Sequence, residues 1–298
     1  MRIVGKIRNN IDATADSYPF VTGMGFRNRC HFVFDEFHTD NPSSLLHDGS
    51  VVFIKTDLVP IFFKNMMPNI HCDIKIVTHN SALGIDKKYE NYLNNPQVIS
   101  WYAQNANFKH QKLHSIPLGL GNRRWLHGSI KKLNLVNDEE VSKEHLLYMN
   151  FDIRTNVSER TKVYDRFKDK DYVLKSDRTS FEQYLRDLKS SKYCLSPPGA
   201  GIDCHRIWES LSVGTIPIVE RCNNISFYEH MPILIIDNWN SVTEDYLNNN
   251  YQYILNKGKN SSCLFMDYWI EKIGLLNSPR GLPAGVVVPP GCSLSNED

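Results

Sequence analysis

The sequence predicts an α/β fold built on two parallel sheets, and three observations carry that expectation. Through the second half, short apolar runs alternate with helix-spaced segments, the pattern of strands covered on both faces by crossover helices. Apolar runs at 51–54, 73–78, 98–102 and 115–119 read as strands in the first half too. At roughly 150 residues per domain, 298 residues leave room for a sheet in each half.

The second half punctuates itself clearly. A strand at 146–151 leads to a helix at 158–169, where Val163, Tyr164 and Phe167 recur at helical spacing. After a strand at 172–174, Thr179-Ser180-Phe181-Glu182 is a capping box opening a helix with Phe181, Tyr184, Leu185 and Leu188 on one face. A strand at 192–196, a glycine-bearing loop, a helix at 203–213 ended by Gly214, and strands at 216–219 and 233–236 complete the series. The polar stretch 128–144 reads as a connection between domains.

Composition excludes several functions. With 34 Lys+Arg against 33 Asp+Glu the formal charge is +1, so no global field recruits nucleic acid. Apolar runs fall far short of the roughly 20 residues of a membrane span, and the first eight residues carry no signal-peptide core, so a cytoplasmic location is expected. Seven cysteines without a Cys-x-x-Cys pair suit reduced thiols better than a disulfide framework or zinc.

The chemistry concentrates in Ser196-Pro197-Pro198-Gly199-Ala200-Gly201-Ile202-Asp203-Cys204-His205-Arg206-Ile207-Trp208-Glu209. A strand enters a glycine loop and then a helix N-terminus, where free amides and the helix dipole favour an anion. Asp203 is expected as N-cap, with Cys204, Ile207, Trp208 and Leu211 as the buried stripe and Arg206 and Glu209 on the other side. Arg206 can grip a diphosphate and Glu209 accept ribose hydroxyls. The same spacing also serves a plain surface ion pair on an ordinary helix.

The run 193–219, with Pro-x-Gly, Arg206, Trp208-Glu209, Leu211 and Gly214-Thr215-Ile216-Pro217-Ile218-Val219, resembles the exostosin-type glycosyltransferases (glycosyltransferase family 47 and relatives), including short single-module members of large algal viruses. The likeness runs more weakly through Thr78-His79-Asn80-Ser81, Trp101-Tyr102-Ala103-Gln104-Asn105, Ile116-Pro117-Leu118-Gly119 and 150–160. It implies a GT-B-type α/β fold, two Rossmann-like domains facing across a cleft, and inverting transfer of a sugar from a UDP-sugar, UDP-xylose among the options, to a hydroxyl of an oligosaccharide or glycoprotein acceptor. UDP-sugar is then the co-substrate, with no essential cofactor. The implied donor set is Arg160, Ser196, Pro198, Gly199, Gly201, His205, Arg206 and Glu209. The domains would be 1–135, an N-terminal acceptor-side α/β unit, and 145–260, a C-terminal nucleotide-sugar unit. A helix within 261–278 would pack back on the first unit, and 279–298 would be a flexible tail. The chain is much shorter than animal exostosins and has one transferase module, so polymerase activity does not follow.

Inversion needs a base on the first domain to take the acceptor proton. His79, ending a strand, is the leading candidate, with Asp57 and Asp73 as rivals. Weaker patterns are set aside: His110 and His114 lack the metalloprotease Glu, Gly23-Met24-Gly25 lacks the third glycine and reads as a turn, and Asp169-Lys170-Asp171 reads as a solvated turn, so no metal is expected. The alternative is a non-catalytic nucleotide-sugar or glycan-binding protein.

Overall fold

The computed structural model describes residues 15–39, 46–176, 179–259 and 261–276; the expected tail 279–298 and the end of the 261–278 segment lie outside these. The chain runs α1 (Gly23–Arg29), β1 (Phe32–Phe34), β2 (Ser50–Lys55), α2 (Val59–Asn65), β3 (Ile74–His79), α3 (Glu90–Leu93), β4 (Val98–Ala103) and β5 (Leu113–Ser115). It continues with α4 (Ile130–Asp138), β6 (His145–Met149), α5 (Val157–Phe167), β7 (Val173–Lys175), α6 (Phe181–Lys189), β8 (Ser191–Leu195) and α7 (His205–Ser212). β9 (Ile216–Glu220), α8 (Asn223–Ser226), β10 (Leu234–Ile236), α9 (Glu244–Leu255) and α10 (Met266–Ile273) follow.

The first sheet has strand order β1-β2-β3-β4-β5, all parallel. A strictly sequential order with right-handed crossovers places the connecting helices on one face only. On that face Val59, Phe62 and Leu93 pack on Ile54, Ile76 and Trp101. The opposite face, with Val51, Phe53 and Val77, is covered from both ends of the chain by Phe26 of α1 and by Met266, Trp269 and Ile273 of α10. α10 is tied there by Met266 N donating to Pro19 O at 2.8 Å, Lys75 Nζ to Ile273 O at 2.7 Å and Leu276 N to Arg29 O at 2.8 Å. Gly274, at φ 79°, ends the helix in the left-handed turn a glycine adopts without strain.

The second sheet has order β10-β9-β8-β6-β7, also parallel. The chain passes from β6 outward to β7 and returns beyond β6 to β8, so the winding reverses between β6 and β8. In open α/β sheets such a reversal leaves a crevice at the strands' carboxyl ends, where ligands bind. α5 and α9 cover one face through Val163, Phe167, Leu247 and Ile254; α6 and α7 cover the other through Leu185, Leu188, Ile207 and Trp208. Two parallel-sheet α/β units, the expected fold class, are thus present; the second is doubly wound in the Rossmann manner and the first singly wound.

Some local expectations differ. The 128–144 segment contains α4, whose Leu133 and Val136 are buried in the core that also holds Leu185 and Leu188 of α6. The expected strand 115–119 is β5 displaced upstream, because the chain leaves the sheet at Pro117 and turns through Gly119 at φ 69°. Gly23-Met24-Gly25 opens α1 instead of forming a turn: Thr22 caps it, and a Cβ on Gly23 would meet Asn80 Oδ1 at 1.9 Å. Among the described residues no helix is long and apolar enough to cross a membrane.

Candidate functional site

The glycine loop leaves β8 at the switch point and is held from below by α5. Arg160 donates from Nε to Pro198 O at 3.0 Å, from Nη2 to Pro197 O at 3.2 Å and from Nη1 to Asp152 O at 3.0 Å. Asn156 Nδ2 donates to Gly199 O at 3.1 Å. Both loop glycines are close-approach positions: a Cβ on Gly199 would lie 2.9 Å from Arg160 Nη2, and one on Gly201 2.6 Å from Asn105 Nδ2. Arg160, expected as a phosphate ligand, is therefore first a clamp on the loop. Ser196 is buried with its Oγ donating to Cys194 O, so it shapes the strand end.

Asp203 is not the N-cap. Cys204 occupies that position without a side-chain cap bond, because the Asp203 carboxylate turns inward to accept from Trp208 Nε1 at 2.9 Å and from Leu118 N at 2.8 Å. The Asp203 amide donates to Asn105 Oδ1 at 2.9 Å, and His205 Nδ1 lies 2.7 Å from Gly119 O. These bonds stitch the start of α7 to the carboxyl-end loops of the first sheet. Burial pushes the Asp203 carboxyl up to about 7.

The electrostatics of the crevice are cationic. The guanidinium carbons of Arg160 and Arg206 lie 5.6 Å and 5.8 Å from the centroid of Phe151, just beyond β6. Arg206 Nε and Nη1 are buried with no hydrogen-bond partner. Burial, and then the charge of Arg206, lower Arg160 to about 10. Arg206 itself is raised: burial opposes its charge, but Tyr184, Cys204, Cys194 and Glu209 around it favour that charge and outweigh burial. Glu209 does not form the surface ion pair that its spacing from Arg206 allowed: it is buried, accepts from Tyr184 OH at 2.7 Å, and burial raises its pKa.

The expected bases fare differently. His79 ends β3 but is 1% exposed, with Nε2 donating to Pro117 O at 3.1 Å and Nδ1 accepting from Asn80 N at 2.7 Å. Burial lowers it to about 4. Both nitrogens are engaged, so the ring braces the Asn80 and Pro117 backbones and cannot reach an acceptor. Asp57 lies on an exposed turn after β2, and its charge is felt by Tyr89 on the α2/α3 side. Among the described residues no hydrogen bond or ion pair joins it to the glycine loop. Sequence reasoning assigned no site role to Phe151, Tyr184 or Asn105, although Asn105, at φ 57°, and Phe151 fall in runs that carry the family likeness.

Residues 139–278 match the family model described as RXYLT1 C-terminal domain. That span takes in α5, the glycine loop, α7 and α10. No curated protein matches. Among solved structures, an α,α-trehalose 6-phosphate synthase from Burkholderia multivorans is similar at 9% identity, covering 78% of this chain and 73% of that one, with TM-score 0.45. The pneumococcal O-GlcNAc transferase GtfA, in complex with UDP and GlcNAc, is 12% identical over 78% of this chain and 55% of that one, TM-score 0.35. A GtfA/B complex is 12% identical over 76% of this chain, TM-score 0.33, and the chain spans 54% of its length.

Proposed function

We propose that this chain is an inverting glycosyltransferase that moves a sugar from a UDP-sugar to a glycan hydroxyl by direct displacement. The observation that carries the reading is Arg206 at the β6/β8 switch point, with two buried, unpartnered guanidinium nitrogens beside a second cation. Those nitrogens lack a hydrogen-bond acceptor, and a nucleoside diphosphate supplies one. As the glycosidic bond to the diphosphate breaks, negative charge grows on the leaving oxygen, where Arg206 and the amides opening α7 stabilise it without reorganising. Arg160 and Asn156 hold the loop in the receiving shape and Arg160 adds its charge. Glu209, buried and bonded to Tyr184, braces α7 against α6 and does not meet the ribose.

The matched domain supports sugar transfer in general, and its xylosyltransferase-related description favours UDP-xylose as the first donor to try. Kinship with exostosin-type enzymes and independence from divalent metal belong to the same proposal. The test is release of UDP from UDP-sugars by the purified chain, with and without EDTA. One donor turned over in both conditions supports the reading; binding without release across the donors would favour a lectin-like protein.

A further inference from the structure

The displacement needs a proton acceptor, and the structure engages His79 elsewhere. A different imidazole faces the donor helix from the first unit. His127 lies just before α4, its ring centroid 5.6 Å from that of His205, the first residue of α7. Trp125 stacks parallel to it at 6.4 Å, and Gly121 leaves its space: a Cβ there would come within 2.4 Å of His127 Cδ2. The ring is thus fixed by packing, while among the described residues no hydrogen bond claims either nitrogen. His127, Glu209 and Ser129, whose buried Oγ has no partner, line one small cavity of about 10 Å³ whose remaining walls are mostly apolar, among them Leu120, Leu133 and Leu185.

We propose that His127 is the general base of the transfer, an inference that rests on the proposed function. The acceptor oxygen forms its bond to the anomeric carbon as the bond from that carbon to the diphosphate oxygen breaks. The bonding pair leaves with the diphosphate, and the hydroxyl proton passes to a His127 ring nitrogen. The imidazolium then loses that proton to solvent as products leave. The charged and titratable groups nearest His127 are His205 and, across the shared cavity, Glu209 on α7, the latter bonded to Tyr184 on α6, with Arg124 beyond Trp125 on its own loop. Burial and then the charge of His205 lower His127 to about 3, so the ring is neutral but only weakly basic. A diphosphate at the start of α7 brings negative charge that raises its basicity.

The test combines NMR titration of the labelled His127 ring, with and without UDP, and UDP release by wild type, His127→Gln, and His127→Ala with added imidazole. The expected results are a His127 pKa at least one unit higher with UDP bound, UDP binding retained in the variants, and turnover lower by about 10²–10⁴ with partial rescue of His127→Ala by imidazole. A His127 pKa unmoved by bound UDP, or unchanged turnover in folded His127→Gln, overturns the proposal while leaving sugar transfer intact. Failure of wild type to bind UDP at all removes the transferase reading, and this inference with it.

Discussion

The indole of Trp208 donates to the carboxylate of Asp203 at 2.9 Å, and the same carboxylate accepts the Leu118 amide from the other unit at 2.8 Å. One side chain thus sets the entry of α7 and holds it to the first unit, so the geometry of the crevice depends on a buried carboxyl.

That burial has a pH signature. Asp203 is raised from 3.8 to about 7 on folding, so the folded state binds the proton more tightly. Its contribution to stability is complete below about pH 4 and is lost as pH rises toward 7, by up to about 1.4 kcal/mol per pH unit. Denaturant unfolding at pH 4.5 and 7 should show wild type losing more stability across that interval than Asp203→Asn does. Equal losses would mean that the carboxyl is not buried as described.

His79 predicts the opposite slope. Its pKa falls from 6.5 to about 4 on folding, so its contribution is present above about pH 6.5 and is lost as pH falls toward 4. His79→Gln should flatten the acid limb of the stability profile. Because the ring braces backbone and does not transfer protons, the variant should lose stability at pH 7 while its pH–rate profile keeps the wild-type shape.

The loop glycines should report on Arg160. A Cβ on Gly199 would press on the Arg160 guanidinium at 2.9 Å, so Gly199→Ala should weaken UDP binding by tenfold or more with little change in melting temperature. Gly201→Ala, which meets Asn105 Nδ2 at 2.6 Å and Ala82 O at 3.2 Å, should also cost about 1–3 kcal/mol of stability through overpacking. Calorimetric titration with UDP and denaturant melts separate the two effects.

Local features of the fold were legible. The capping box is legible but one residue off: the sequence makes Thr179 the cap, whereas Ser180 caps α6 with its Oγ accepting from Gln183 N at 3.1 Å, and Thr179 Oγ1 is buried without a partner. The apolar stripe of α7 is buried as its spacing required. β1 was missed because three residues show no periodicity. In the site, the loop and Arg206 were visible because they are a local motif. The roles of Asp203 and His79 were not, since their partners Leu118 and Pro117 come from distant sequence and polar side chains follow partners more than spacing. His127 was invisible for the same reason: its meaning comes from His205 across the domain boundary.

The most direct test of the account is the melting temperature of wild type and Arg206→Gln with and without UDP. A ligand that binds only the folded state raises stability by about 2.7 kcal/mol at 100 times its Kd. The account predicts a clear rise for wild type, little or none for Arg206→Gln, and similar ligand-free melting of the two. Equal stabilisation of both proteins, or none of wild type by UDP or any UDP-sugar, would contradict it.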